Sequence, residues 1–232
     1  MKKTLFAAMG TLLVVSACSN GVVVPSPTPT PSVPVKTQQT QQPTQASTDM
    51  KKYTDDTNGI TFDYPSSLSV NRSGDRVVVL HTVPFKHSPP CDFIGTGKEL
   101  TELTDFDVSL EVYKKSLKDT AADTQDASFA ADNMTGDQMK ISEGFIEAFN
   151  VGDLKGYKLT QGVEGCGQYV YYFQIQKDVT LVATRAFVPE LNSAISEDVR
   201  GKAEKLPGVI LSKESDTILN SMLESFHYAP AK

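Results

Sequence analysis

No stretch of this 232-residue chain is apolar for long enough to cross a membrane as a helix. The best candidate, Leu5 to Val15, falls well short of the about 20 residues that span roughly 30 Å of hydrocarbon. Clusters of Lys and Arg are also missing, and the net charge is −6. That excludes a nucleic-acid surface and a polybasic contact with anionic lipid, both of which need such clusters. There is no H-E-x-x-H, no G-x-S-x-G and no G-x-G-x-x-G, so the short signatures of zinc proteases, serine hydrolases and dinucleotide enzymes are absent. Gly95-Thr96-Gly97-Lys98 is not a phosphate loop: Asp92 stands where the first Gly belongs and Glu99 where Ser or Thr would hold magnesium. The Cys residues number three, at 18, 91 and 166, and so do the His residues, at 81, 87 and 227.

The first residues, MKKTLFAAMGTLLVVSACSN, combine a positive start at Lys2 and Lys3 with a short apolar core, the pattern of an export signal. At the end of that core, Val15-Ser16-Ala17-Cys18 resembles the bacterial lipobox, an apolar residue and two small ones before a Cys. The resemblance implies that residues 1–17 are removed as a lipoprotein signal peptide. Cys18 then carries diacylglycerol and an N-acyl chain as the new N-terminus. Several acyl chains, at about 0.8 kcal/mol per buried CH₂, anchor stably where one is marginal. The expected localisation is a cell membrane or cell surface, with the rest of the chain outside the cytoplasm. Cleavage also removes Lys2 and Lys3, taking the charge from −6 to −8.

Residues 21–48, GVVVPSPTPTPSVPVKTQQTQQPTQAST, hold no acidic residue, no aromatic and one Lys. Such a tract cannot bury enough apolar surface to offset its ordering entropy. Residues 18–50 are therefore expected to be a Pro/Thr/Gln-rich disordered linker, spanning roughly 30 Å as a coil and about 90 Å fully extended. Residues 51–232 are expected to form one globular domain of ordinary size.

Within that domain, Asp55-Asp56-Thr57-Asn58-Gly59 places Asn-Gly before an alternating run, a strong hairpin signal. A calcium-loop reading of the same stretch fails, with Thr54 at the first ligand position and Pro65 at the last. Ile60, Phe62 and Tyr64 share one face of the following strand, which Pro65 ends. Residues 76–83 and 106–113 read as strands, separated by a turn-rich loop from His87 to Gly97. Residues 114–137 read as helix or loose polar connection. Strands at 145–151, 155–163, 168–176 and 179–188, with short polar or Gly-rich separators, predict a meander. Ile218, Leu219, Met222, Leu223 and Phe226 fall on one face of a helix over 215–226, with Ser215 or Asp216 available as N-cap. The expected class is α+β: an antiparallel sheet of about six to seven strands with a C-terminal meander, flanked by helices.

The run Asn58-Gly59-Ile60-Thr61-Phe62-Asp63-Tyr64-Pro65-Ser66, the meander and the final helix leading into Ser225-Phe226 resemble the PsbP-like superfamily. Its members begin with a Gly–apolar–x–Phe–x–Tyr-Pro strand and end with a helix packed on the sheet. The resemblance covers most of residues 51–228 and implies the fold. It supplies no ion-site motif that transfers residue by residue.

The candidate chemistry is sparse. His81, His87, Cys91 and Asp92 are one possible set of transition-metal ligands, and an enzyme or metal-dependent protein using the His81/His87/Asp92 neighbourhood is one functional reading. A second pairs Cys91 or Cys166 as nucleophile with His87 or His227 as base. It competes with a disulfide: in an exported chain whose Cys18 is consumed by lipid, Cys91 and Cys166 are the two thiols left to pair. Asp119, Asp123, Asp126, Asp132 and Asp137 form an acidic run that would suit either calcium or solvent. In Gln168 to Phe173, alternation sends Tyr169, Tyr171 and Phe173 to one face and Val170 and Tyr172 to the other. The favoured expectation is a non-enzymatic binding or assembly module, with no catalytic residue, resident metal or cofactor. Its partners are the membrane through Cys18 and an extracytoplasmic protein, not nucleic acid. A structural envelope lipoprotein is the further alternative.

Overall fold

The computed structural model describes residues 49–88, 99–163, 166–186 and 196–230, all within the unit Gln41–Lys232. The chain enters as a hairpin, β1 (Met50–Asp55) and β2 (Ile60–Pro65), paired from Met50↔Pro65 to Asp55↔Ile60. Asp55 builds its turn. One carboxylate oxygen accepts from the backbone N–H of Thr57 at 3.0 Å and of Asn58 at 3.1 Å, and the other accepts from the Asn58 side chain at 3.1 Å. Gly59 follows at φ +66°, a left-handed conformation natural to Gly.

The main sheet has seven strands, all antiparallel. They are β3 (Ser69–Ser73), β4 (Arg76–His87), β5 (Leu100–Tyr113), β8 (Ile146–Val151), β9 (Leu154–Val163), β10 (Cys166–Gln176) and β11 (Val179–Ala186). Their order across the sheet is β3-β4-β5-β11-β10-β9-β8. The meander appears as expected, β8 to β11 in sequence order, and β11 closes it onto β5. Gly156 of β9 lies so close to β10 that a Cβ there would sit 1.9 Å from the Tyr172 carbonyl oxygen.

Two layers cover the sheet. On one face α4 (Ser212–Glu224) brings Ile218, Leu219, Met222 and Leu223 against Val77, Val79, Val108, Leu110, Tyr171, Phe173 and Leu181. The β1–β2 hairpin joins this layer through buried Ile60 and Phe62. It does not extend the main sheet, as a continuous run of strands suggested. With β12 (His227–Tyr228) it forms a separate three-stranded sheet, β1-β2-β12. The physical reason is that β2 buries its apolar alternates against α4, so the hairpin lies over the sheet.

On the opposite face the segment after β5 resolves into α1 (Leu117–Thr124), α2 (Ala127–Asn133) and the small hairpin β6 (Met134–Thr135) with β7 (Gln138–Met139). Both helices have side-chain caps. Ser116 accepts from the Asp119 N–H at 3.2 Å and Asp126 from the Phe129 N–H at 2.6 Å. Leu117, Ala121, Ala130, Met134 and Met139 pack there on Ile146, Leu159, Val170, Tyr172 and Val182. The alternation in β10 is as read from sequence, with Tyr171 and Phe173 toward α4 and Val170 and Tyr172 toward α1.

A smaller cluster joins Val83 and Leu103, near the far end of the β4–β5 pair, to Ala203 of α3 (Glu197–Ala203), a helix the sequence pattern did not suggest. The final helix also starts earlier than expected, with Leu211 at its N-cap and no side-chain cap bond. Ser215 is buried inside α4 and Asp216 is spent on Arg185, so neither is the cap. The class is α+β, an antiparallel sheet flanked by helices.

Gly59 is also where the C-terminus docks: its carbonyl accepts from the Ala229 N–H at 2.8 Å, and a Cβ on it would sit 1.8 Å from the Ala229 oxygen. Gly59→Ala should therefore lower stability by about 1–2 kcal/mol from the left-handed backbone alone, with a further loss from displacing β12. Urea melts measure it, and an unchanged midpoint would show that the close approach does not constrain the fold.

Candidate functional site

Those of the residues singled out from sequence that the structure describes do not converge. Cys18, Cys91 and Asp92 lie outside the described residues. Cys166 opens β10, and its backbone pairs with Val163. His81 in β4 has its Nδ1 2.6 Å from Oδ1 of Asp105. His87 is the last residue of β4, not a loop residue, and it is buried rather than exposed. Its ring stacks on Phe85 at 5.7 Å, with Nδ1 2.8 Å from the Ser88 carbonyl and Nε2 3.2 Å from the Glu102 carbonyl. The strand extends because β4 pairs onward through His87↔Leu100. His227 belongs to the three-stranded sheet and Cys166 to the seven-stranded one. Among the described residues no three His, Cys, Asp or Glu side chains are grouped to hold a metal ion.

The acidic run is used one residue at a time. Asp119 takes the Ser116 hydroxyl, Asp123 pairs with Lys115, Asp126 caps α2 and Asp137 accepts from the Lys118 N–H. Hydrogen bonds from the Ser128 side chain and the Phe129 backbone lower the pKa of the exposed Asp126 carboxyl.

The polar groups that do converge lie on the α1 side of the main sheet. α1 and α2 cover β8 to β11 there, and among the described residues no helix covers the β4–β5 half of this face. Pairing sets the rungs of this half-face: Arg76 lies opposite Glu111, Val78 opposite Ser109, and Ser109 opposite Thr184. Where the covered half meets the open half there is a recess of about 190 Å³. Arg76, Ser109, Glu111 and Tyr113 form one wall, Gln125 at the end of α1 and Gln168 of β10 the other, over a floor of Val170 and Val182.

A row of hydrogen bonds fixes the second wall. The Gln168 side chain donates to Gln161 Oε1 at 2.8 Å, Gln161 donates to Gln125, and Gln125 donates to the Tyr172 hydroxyl at 2.6 Å. The Tyr172 hydroxyl lies 2.6 Å from that of Thr124, which donates to the Thr120 carbonyl at 2.8 Å. Burial raises the Tyr172 pKa, against the opposing pull of its bonds to Thr124 and Gln125. On the first wall, burial and then the negative charge of Glu111 push Tyr113 up to about 12. Asp107, two residues before Ser109 on the same face of β5, is raised by burial despite the nearby Arg76 charge. The recess thus offers neutral hydroxyls and amides, with one cation set against one anion, Arg76 Nε 3.6 Å from Glu111. No His, Cys or Asp pattern in the sequence marks this set; its local signal is Gln at the inward-alternating strand positions 161 and 168.

No protein-family model matches the chain, and neither does any curated protein. Solved structures do. A crystal structure at 1.50 Å of a protein from Bacteroides thetaiotaomicron VPI-5482 aligns at a TM-score of 0.40 and 6% identity, over 77% of this chain and 48% of that one. The chain thus spans about half the length of that protein. The solution structure of cyanobacterial PsbP (CyanoP) from Synechocystis sp. PCC 6803 aligns at a TM-score of 0.33 and 13% identity, over 79% of this chain and 94% of that one. No helix among the described residues is long and apolar enough to cross a membrane.

The Tyr113 environment has a pH consequence. Its folded pKa is raised above the ordinary 10.0, so the stability this group contributes is complete below pH 10 and is lost as pH rises toward about 12. Spectrophotometric titration of wild type against Tyr113→Phe should resolve one phenol ionising near 12. A difference spectrum centred at 10 would contradict the burial.

Proposed function

We propose that this chain is an exported lipoprotein, held to a membrane by lipid on Cys18 and a tether over residues 18–50. Its PsbP-like domain, residues 51–232, acts as a non-enzymatic binding or assembly module outside the cytoplasm. The observation that carries the binding reading is the half-open sheet face. A sheet buried on both sides would be covered throughout; here, among the described residues, one half carries no helix, and polar side chains line a recess. Catalysis finds less support. The Nδ1 of His81 is engaged by Asp105, and both nitrogens of His87 face backbone carbonyls, so among the described residues neither ring is joined to a nucleophile.

A photoreactive residue at Asn71, exposed beside this face on β3, tests the reading in cells producing the full chain. Adducts should form there, should not form from Lys213 on α4, and should vanish in Cys18→Ala, which should also release the protein from the membrane fraction. Equal adducts from both positions, or turnover of a substrate that a single polar substitution abolishes, would overturn it.

We also propose that Cys91 and Cys166 form a disulfide. The register favours it. Arg185 of β11 lies opposite both Val108 of β5 and Tyr169 of β10, so β5 toward Leu100 and β10 toward Cys166 run to the same end of the sheet. The β4–β5 connection, which holds Cys91, leaves from that end at His87↔Leu100. Closing so long a loop stabilises by about 4 kcal/mol in the chain-entropy model. Non-reducing peptide mapping should recover one crosslinked peptide pair, and reduction should lower the melting temperature by several degrees. Two alkylatable thiols in native, unreduced protein would refute the pairing.

A further inference from the structure

We infer that the recess between Tyr113 and Gln168 binds a neutral, hydroxyl-rich ligand of about one ring, a saccharide unit. The inference rests on the binding-module reading and adds the ligand class.

The direction of the hydrogen-bond row carries the first step. Thr124 spends its proton on the Thr120 carbonyl, so it accepts from Tyr172. Tyr172 then accepts from Gln125, Gln125 from Gln161, and Gln161 from Gln168. Every donor points the same way, toward the interior of α1. The open end is the Gln168 amide, whose Oε1 accepts nothing among the described residues. In such a row each bond polarises the next, which strengthens the terminal acceptor. The row therefore presents to the recess an oxygen that calls for an O–H or N–H donor.

The facing wall carries the second step. Tyr113 keeps its proton, which its hydrogen bond spends on the Glu111 carboxylate, and offers its oxygen as an acceptor. Ser109 and Thr184, opposite one another on β5 and β11, offer two more hydroxyls that can do either. Arg76 and Glu111 offset each other's charge across 3.6 Å. A free anion entering here would meet Glu111 and the acceptor end of the amide row, and a free cation would meet Arg76. A sugar ring carries donors and acceptors around its rim and C–H groups on its faces, which matches polar walls over a floor of Val170 and Val182. The volume of about 190 Å³ lies below the roughly 300–1,000 Å³ of drug-sized pockets, as one ring requires.

The test uses the full-length protein in micelles of a detergent without a sugar headgroup. It is titrated by calorimetry with methyl α-glucoside, N-acetylglucosamine and myo-inositol, with choline and inorganic phosphate as charged comparators. Saturable binding of at least one of the three neutral probes is expected. It should weaken about five- to tenfold in Gln168→Leu and in Tyr113→Phe, as the loss of one hydrogen bond implies, while both variants still melt cooperatively. No saturable binding of any neutral probe overturns the inference. So does tighter binding of choline or phosphate, or an affinity unchanged in both folded variants. If those failures occur while Asn71 still gives adducts, the ligand class falls and the binding module stands.

Discussion

The pairing of β5 with β11 holds this structure together, because among the described residues it is the one ladder joining the early strands to the meander. β3, β4 and β5 form one antiparallel block and β8 to β11 another, and the rungs from Tyr113↔Thr180 to Val108↔Arg185 connect them. That register decides what each face carries. Val108 and Leu110 meet Leu181 and Ala183 under α4, while Ser109 and Glu111 meet Thr184 and Val182 on the recess side. A slip of one residue would exchange the two sets. It would put carboxylate and hydroxyls into the apolar core and expose valine and leucine. The same register delivers Arg185, which is 2% exposed, to the α4 face, where its guanidinium lies 2.5 Å from Asp216. A buried cation of this kind is costly without its partner, so the ladder constrains where the first turns of α4 must lie.

A second constraint sits on the same strand. His81 pairs with Phe106 and Thr82 with Thr104, which leaves Asp105 without a partner across the ladder as the extra residue of a β-bulge. The bulge turns its carboxylate into the interior, where it is 1% exposed. One oxygen meets His81 at 2.6 Å and the other accepts the Ile210 N–H at 2.7 Å. Ile210 lies just before α4 and belongs to the main core. Asp105 therefore fastens the incoming end of the helix while Arg185 fastens its first turns. His81, a candidate metal ligand when judged by residue type, instead completes this fastening.

The elements legible in sequence were those whose signal is local. The Asn58-Gly59 turn, the alternation in β10, the short separators of the meander and the apolar stripe of α4 each follow from a few adjacent residues. The elements that were not legible depend on distant partners. The first hairpin reads like another strand pair of the main sheet, and only the burial of Ile60 and Phe62 against α4 moves it to a sheet of its own. Ser215 and Asp216 look like N-caps by type, yet one is buried in the helix and the other answers a cation on β11. His87 follows the run of strand residues and sits near Pro, and it becomes strand because Leu100 pairs with it across the connection.

The residues behind the family resemblance turn out to serve the closure of the chain. Gly59 admits the backbone of Ala229. Ser225 accepts the Asp63 N–H at 2.9 Å and donates to the Met222 carbonyl at 2.9 Å, tying the end of α4 to β2. Phe62 and Phe226 lie in the core under that tie. None of them lines the recess, so the resemblance speaks to how the chain closes and is silent on what the recess holds. The residues of the recess and of the hydrogen-bond row beside it have the opposite character. Tyr113, Gln125, Gln161, Gln168 and Tyr172 are ordinary residue types on three strands and the end of one helix, and no spacing links them before the β5–β11, β11–β10 and β10–β9 registers bring them together. A Gln in an alternating strand reads as a solvent-facing position. It becomes part of a site only when a helix end such as that of α1 supplies an amide to meet it.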